Sequence, residues 1–182
     1  MLELIDGMFA IALWDTEKTK LFLARDRFGK KPLYYTILKN ETGGSHVVFS
    51  SEIRGLLASK LFHPKLNHDV LGEYLQIQCV REPNTIVHGV FHIPASNFCE
   101  LDLGKFNIIS ENQLPTRNYW SLKVNQEYAE MEYSDALIKG RDLFYQSIEK
   151  RMISDVPLGA FLSGGIDSSA IVTGKQIGRA HV

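Results

Sequence analysis

The sequence predicts an α+β region followed by the start of an α/β region, and three observations carry that reading. Short apolar runs separated by polar turns fill the first fifty residues, a strand-rich pattern. The stretch from Leu114 to Tyr133 carries little periodic signal, which marks a boundary. Near the end, an apolar run passes through Ser163-Gly164-Gly165 directly into a helix start.

In chain order, Met8 to Trp14 is an apolar run suited to a strand buried on both faces. Asp15-Thr16-Glu17-Lys18 is a polar turn and Lys20 to Ala24 a second strand, so the two are expected to form an antiparallel hairpin. A third strand starts at Pro32-Leu33-Tyr34-Tyr35, proline being tolerated at a strand's first position. Thr42-Gly43-Gly44-Ser45 is a turn into a fourth strand, His46 to Ser50. Ser51 is placed as a helix cap, with Glu52 in the first turn and Ile53, Leu56 and Leu57 on one face. A second helix is expected from Asp69 to about Gln76, where Val70, Leu71, Tyr74 and Leu75 recur at helical spacing. Pro83 and Pro94 break the chain into extended pieces, and Asn97 to Leu103 alternates as a strand. Ser134 is placed as the cap of a long helix with Leu137, Phe144, Ile148 and Met152 as its apolar stripe, ended by Asp155-Val156-Pro157. Leu158 to Leu162 then reads as a short buried strand. The expected division is a first domain over 1–118, a linker over 119–133 and the start of a second domain over 134–175.

Length and composition narrow the function classes. A chain of 182 residues is one domain or two small ones. Lys plus Arg is 20 and Asp plus Glu is 21, a net charge of −1 that removes the electrostatic case for a nucleic-acid partner. Hydrophobic residues at 45% and charged residues at 23% exclude disorder for most of the chain. The longest apolar run, Met8 to Trp14, is far too short to span a bilayer, so no membrane partner is expected. The opening Met-Leu-Glu-Leu-Ile-Asp is acidic and does not read as a signal peptide. Two cysteines, Cys79 and Cys99, make no disulfide framework, and core packing is the expected role of both. A reducing, cytoplasmic setting follows as the expectation.

The stretch that carries chemistry is Leu162-Ser163-Gly164-Gly165-Ile166-Asp167-Ser168-Ser169. An apolar run, a Ser-Gly-Gly turn and a helix start aim backbone N–H groups at one spot, which suits phosphate oxygens. Ser163, Ser168 and Ser169 add hydroxyl donors. The Gly-Lys-Ser/Thr ending of a Walker A motif is absent, and Asp167 stands where a lysine would be. A carboxylate beside phosphates repels them unless a divalent cation lies between, so the loop reads as a magnesium-pyrophosphate cradle with Asp167 as the metal-facing group. The bland reading is a turn followed by a helix cap, and the agreement of strand, serines and carboxylate weighs against it.

Ser163 to Ser169 resembles the SGGxDSS pyrophosphate loop of the ATP-pyrophosphatase adenylating enzymes. The lead-in Ser154-Asp155-Val156-Pro157-Leu158-Gly159 makes the chain similar to glutamine-hydrolysing asparagine synthetases of the B type. Asp6 to Ala10, Ala24 to Tyr35 and Ser50 to Ile53 resemble that family's DGMFA, ARDRxGxKPLYY and ASEI blocks, in the family's order. The resemblance implies the back half of a class II, Ntn-type glutamine amidotransferase α/β/β/α sandwich, followed by the start of a PP-loop α/β synthetase domain. It implies glutamine hydrolysis to ammonia, aspartate activation by ATP with Mg²⁺ to β-aspartyl-AMP and pyrophosphate, and displacement of AMP by ammonia. A homodimer is its implication for the intact enzyme.

The family's nucleophile is an amino-terminal cysteine, whereas this chain opens Met-Leu-Glu. The chain is therefore read as an internal fragment, itself inactive, with no catalytic residue of its own. Relatives that close a lactam or amide ring, as β-lactam synthetases and lasso-peptide cyclases do, are the alternative parent, and a non-catalytic nucleotide-binding fragment is the alternative from another class. Residues 176–182 abandon the helix's apolar pattern. Ile177 to Val182 is what a common short-read sequencing adapter encodes, so these seven residues are read as adapter read-through. Arg25-Asp26-Arg27 is read as a strand-end ion-pair network and Tyr119-Trp120 as an interdomain packing anchor. His88 and His92 lie four apart, but Gly89 and Pro94 argue against the helix a zinc pair would need.

Overall fold

The computed structural model describes residues 1–41, 44–102 and 113–178, so Thr42-Gly43 of the expected turn, Leu103 and the last four residues lie outside the described residues. The chain divides into two compact units, Met1–Leu122 and Lys123–Val182.

The first unit is built on two antiparallel sheets. One runs β1 (Ala10–Asp15), β2 (Lys20–Arg25), β6 (Asn97–Asp102) and β7 (Arg117–Asn118) in that spatial order. The other has β3 (Tyr34–Lys39) at its centre, flanked by β4 (Ser45–Ser50) and β5 (Val90–His92). The expected β1–β2 hairpin is present, with Ala10 opposite Arg25 and Asp15 opposite Lys20. Leu21 and Leu23 of β2 with Cys99 and Leu101 of β6 form one core with Tyr35, Leu33, Ile93 and Leu114, so the two sheets share a single apolar interior. Tyr35 also donates nothing to waste there: its hydroxyl accepts the Leu114 N–H at 3.1 Å, and burial raises its pKa. Thr36 and Val90, on the opposite face of the second sheet by alternation, are buried as well.

β1 corrects an expectation. It forms, but among the described residues it is the end strand of its sheet, and most of its residues are exposed rather than buried on both faces. A strand paired on one side only lies beyond the shared core, so Leu13 and Trp14 remain about half exposed.

Helix α1 (Ile53–Ala58) buries Leu56, with Ile53 and Leu57 half-buried on the same side. Its N-cap position falls to Glu52, not Ser51, and no side chain caps it; Ser50 Oγ instead accepts the Glu52 N–H at 3.2 Å. The second helix splits into a 3-10 turn, His68–Val70, and α2 (Leu71–Ile77), which ends at the left-handed Gln78.

The Arg25-Asp26-Arg27 block holds one ion pair, Arg25 with Glu82, and is otherwise bound by main-chain groups among the described residues. Asp26 accepts four backbone N–H groups, from Phe9 (3.2 Å), Phe28 (3.1 Å), Lys30 (2.9 Å) and Lys31 (2.9 Å). Burial alone would push its carboxyl up, yet the four amides outweigh that and hold it below the ordinary carboxylate range. Arg25, buried, donates to the carbonyls of Gly29 (2.7 Å), Lys31 (2.8 Å) and Ile93 (2.8 Å) and pairs with Glu82 at 2.5 Å. Gly29 takes a φ of +61°, and a Cβ there would sit 2.9 Å from the Arg25 guanidinium, so only glycine closes this turn. Arg27 lies over the Trp120 ring and donates to the Glu3 carbonyl at 3.1 Å. Tyr119 donates its hydroxyl to the Arg25 carbonyl at 2.9 Å and Trp120 packs edge-on against Phe28, so this pair anchors the first unit's own turn.

In the second unit, α3 (Gln126–Ala129) and α4 (Tyr133–Lys150) precede α5 (Ile166–Gly178). The N-cap position of α4 is Glu132, which leaves Ser134 inside the helix, and α4 ends at Lys150, before the Asp155-Val156-Pro157 stop. Gly174 meets α4 closely: a Cβ there would stand 2.6 Å from Ile148 Cδ1 and 3.3 Å from the Tyr145 ring. Leu137 of the expected stripe is exposed, while Phe144, Ile148 and Met152 line an apolar cleft of about 440 Å³ with Leu158 and Ile171. The described residues include no helix long and apolar enough to cross a membrane.

Asp26→Asn should lower stability by about 2–3 kcal/mol at neutral pH, because an amide nitrogen then faces two backbone donors. A depressed carboxyl stabilises above its unfolded pKa and loses that contribution as pH falls through the folded value. The gap between wild type and variant, measured by urea unfolding, should therefore be constant near neutrality and shrink as pH falls below about 4.

Candidate functional site

Leu158 to Leu162 does not form the expected strand. The whole stretch is exposed and irregular, Phe161 completely so, and the second unit contains no strand among its described residues for it to pair with. A lone strand leaves its backbone groups to water, so extended chain without a ladder is the result.

The helix start stands as expected. α5 begins at Ile166 and places Asp167 in its first turn, exposed. The first-turn N–H groups of any helix lack intrahelical acceptors, and the positive end of the helix lies there. Gly164 has a φ of +79°, and a Cβ at that position would meet nothing within 4 Å. The turn thus faces open space, as a cradle for a ligand oxygen requires.

The three serine hydroxyls are engaged with the turn itself. Ser168 Oγ donates to the Gly165 carbonyl at 3.0 Å and Ser169 Oγ to the same oxygen at 2.8 Å. Since Ser168 has one hydroxyl proton, the 3.0 Å contact between Ser163 Oγ and Ser168 Oγ runs with Ser163 as donor. The Gly165 carbonyl also accepts the Ser169 N–H at 3.1 Å. Leu162 and Ile166, by contrast, point no polar atom at the loop and are exposed, so their share in any binding is through backbone.

The cysteines separate. Cys99 lies in the core of the first unit, and burial pushes its thiol up to about 12, which leaves it uncharged and unreactive at neutral pH. Cys79 is exposed, against the expectation of core packing, because it follows the left-handed residue that ends α2, a helix with no fully buried side chain. The histidines bring no group of three metal ligands together among the described residues. His92 stacks on Tyr34 at 4.3 Å, and burial lowers its pKa, with the Arg25 charge adding to that.

Sequence reasoning missed Glu82 and Gly29 as partners of Arg25, since 57 residues separate the ion pair in sequence and no local pattern marks it.

The chain belongs to the glutamine amidotransferase domain family, whose model matches residues 1–120. A second family, asparagine synthase, matches residues 139–176, a span that takes in all of Ser163 to Ser169. Among curated relatives, the chain is 38% identical over 176 residues to asparagine synthetase [glutamine-hydrolyzing] 2 of Bacillus subtilis, covering 92% of this chain and 22% of the relative. It is 35% identical over 170 residues to putative asparagine synthetase [glutamine-hydrolyzing] 2 of Methanocaldococcus jannaschii, covering 92% of this chain and 30% of the relative. Asparagine synthetase [glutamine-hydrolyzing] 3 of B. subtilis is 34% identical over 167 residues, with 25% of that relative covered. The chain therefore spans between about a fifth and a third of the length of these relatives.

The cysteine environments predict a simple labelling result. Iodoacetamide at mildly alkaline pH should add one group to the folded chain, at Cys79, and a second at Cys99 only after denaturation. Intact-mass spectrometry with peptide mapping checks this, and rapid native labelling of Cys99 would contradict the burial described.

Proposed function

We propose that the complete protein is an ATP-dependent, asparagine-forming ligase that takes its nitrogen from glutamine. The observation that carries this reading is one chain holding both an amidotransferase family segment and, at a helix start, the Ser163-Gly164-Gly165-Ile166-Asp167-Ser168-Ser169 loop. In this reading the two antiparallel sheets of the first unit are β layers of an Ntn-type sandwich, and residues 134–175 begin a PP-loop synthetase domain. The amidotransferase part releases ammonia from glutamine. The synthetase part joins aspartate to the adenylyl group of ATP, releasing pyrophosphate, and ammonia then displaces AMP from the activated β-carboxyl. In this reading Cys99, whose thiol burial keeps protonated, is a core residue and not the glutaminase nucleophile.

The loop residues fit a pyrophosphate with its cation. The open space before Gly164 and the N–H groups of the Gly165–Asp167 turn suit phosphate oxygens. Ser163, Ser168 and Ser169 keep their hydroxyls within the turn, where a rotation re-aims each proton. Asp167 would hold Mg²⁺, and the ion supplies the positive charge that lets a carboxylate sit beside phosphates. Leu162 and Ile166 flank the turn and set its backbone path. Cytoplasmic location and a homodimer complete the proposal for the intact enzyme.

Asp167→Asn in the full-length protein tests the cradle. Loss of one metal contact should slow ATP-dependent asparagine and pyrophosphate formation by about 3 kcal/mol or more, more than a hundredfold, while glutamate release from glutamine stays unchanged. A helix-capping aspartate predicts a mild effect instead, because Asn caps about as well as Asp. Pyrophosphate release with aspartate, ammonia and saturating magnesium distinguishes the two. Activity within about threefold of wild type would leave Asp167 as a cap.

A further inference from the structure

The second sheet leaves a gap beside its central strand. β5 pairs with β3 from Tyr34 opposite His92 only as far as Thr36 opposite Val90, so Ile37 and Leu38 continue past the end of β5. Backbone groups alternate sides along a strand, and one N–H and C=O pair of these two residues faces the gap. The chain entering β5 does not fill it. Residues 86–88 pair instead with 65–67, the Asn67 N–H donating to the Ile86 carbonyl at 2.9 Å and the His88 N–H to the Lys65 carbonyl at 2.8 Å. What remains is a cleft of about 360 Å³ walled by Phe62, Asn67, Asp69, Asn84, His88 and Phe91. That volume lies in the range of small-ligand sites.

Its walls are fixed from behind. Asn67 Nδ2 donates to the Thr85 carbonyl at 3.1 Å, Thr36 Oγ1 donates to the Gly89 carbonyl at 2.8 Å, and the 3-10 turn carrying Asp69 is held by buried Val70. The chemistry is one-sided: one carboxylate, two carboxamides and an imidazole line the cleft with two phenylalanines, and no lysine or arginine lines it among the described residues. A cleft whose one charged wall group is a carboxylate and whose apolar walls are aromatic favours a cation over an anion or a neutral molecule.

We propose that this cleft binds a small organic cation, an aliphatic ammonium or guanidinium, with its charged head at Asp69 and its alkyl part against Phe62 and Phe91. The site lies wholly in the first unit and takes no part in the Ser163–Ser169 loop, so it stands or falls apart from the ligase reading. The test titrates the whole chain with n-butylammonium, using n-butyrate and n-butanol as charge controls, followed by ligand-detected and amide NMR. Saturable binding near millimolar n-butylammonium is expected, with shifts at Ile37, Leu38, Asp69 and His88, and Asp69→Asn should weaken it about tenfold. Phe62→Ala, which leaves Asp69 in place, should weaken n-butylammonium more than methylammonium. Equal binding of butyrate, unchanged affinity in folded Asp69→Asn, or no saturation by roughly 50 mM would overturn the proposal.

Discussion

A single carboxylate receiving four main-chain N–H groups organises the first unit. Asp26 ties the approach to β1, through Phe9, to the turn that leads into β3, through Phe28, Lys30 and Lys31. Its own main chain continues the joint, since the Asp26 N–H donates to the Phe9 carbonyl at 2.9 Å and its carbonyl accepts the Ser96 N–H at 2.9 Å. Arg25 does the complementary task with carbonyls, and Tyr119 closes the ring from the far end of the unit. The two charges thus satisfy backbone that would otherwise be buried without partners at the point where both sheets are entered. Burying either charge alone would be costly, and the arrangement works because Asp26 is saturated by main-chain amides and Arg25 by main-chain carbonyls together with the Glu82 carboxylate.

This junction also explains which parts of the structure the sequence made legible. Alternation and turn chemistry are local, and the β1–β2 hairpin, β3, β4 and both helix-like segments near Ile53 and Val70 fall where they were expected. Charge partners are not local. Arg-Asp-Arg invited an ion-pair reading because adjacent opposite charges look like partners, whereas Arg25 pairs with the distant Glu82 and most other partners are amides and carbonyls, which every residue carries and no pattern marks. Burial was misjudged for a related reason. The run Met8 to Trp14 has the composition of an interior strand, but burial depends on neighbours, and among the described residues β1 has one strand beside it. Cap placement slipped at both Ser51 and Ser134, which stand one and two residues from the N-cap positions Glu52 and Glu132, where no side-chain cap bond forms.

The candidate loop was legible in a different sense. Its residue types mark a glycine turn and a helix start, and both are present, with Gly164 left-handed in the turn. The hydroxyl chain from Ser163 through Ser168 to the Gly165 carbonyl was not legible, since three serines can aim inward or outward with equal ease. The strand before the loop failed because a ladder is a property of two segments, and one segment's composition cannot supply the other.

The position of β1 separates two quantities that are easily confused in such a chain. Folding of a unit around one core is unimolecular, so its midpoint does not depend on protein concentration, and β1 contributes no residue to the buried core of the first unit. Pairing of a second molecule along an outer strand would be bimolecular and rise with concentration, and β1 carries no lysine or proline and only Asp15, at its end, as a charge. Dilution therefore acts on the second process alone, and the colloidal behaviour of the chain is set at its edge while its conformational stability is set at Asp26 and in the shared interior.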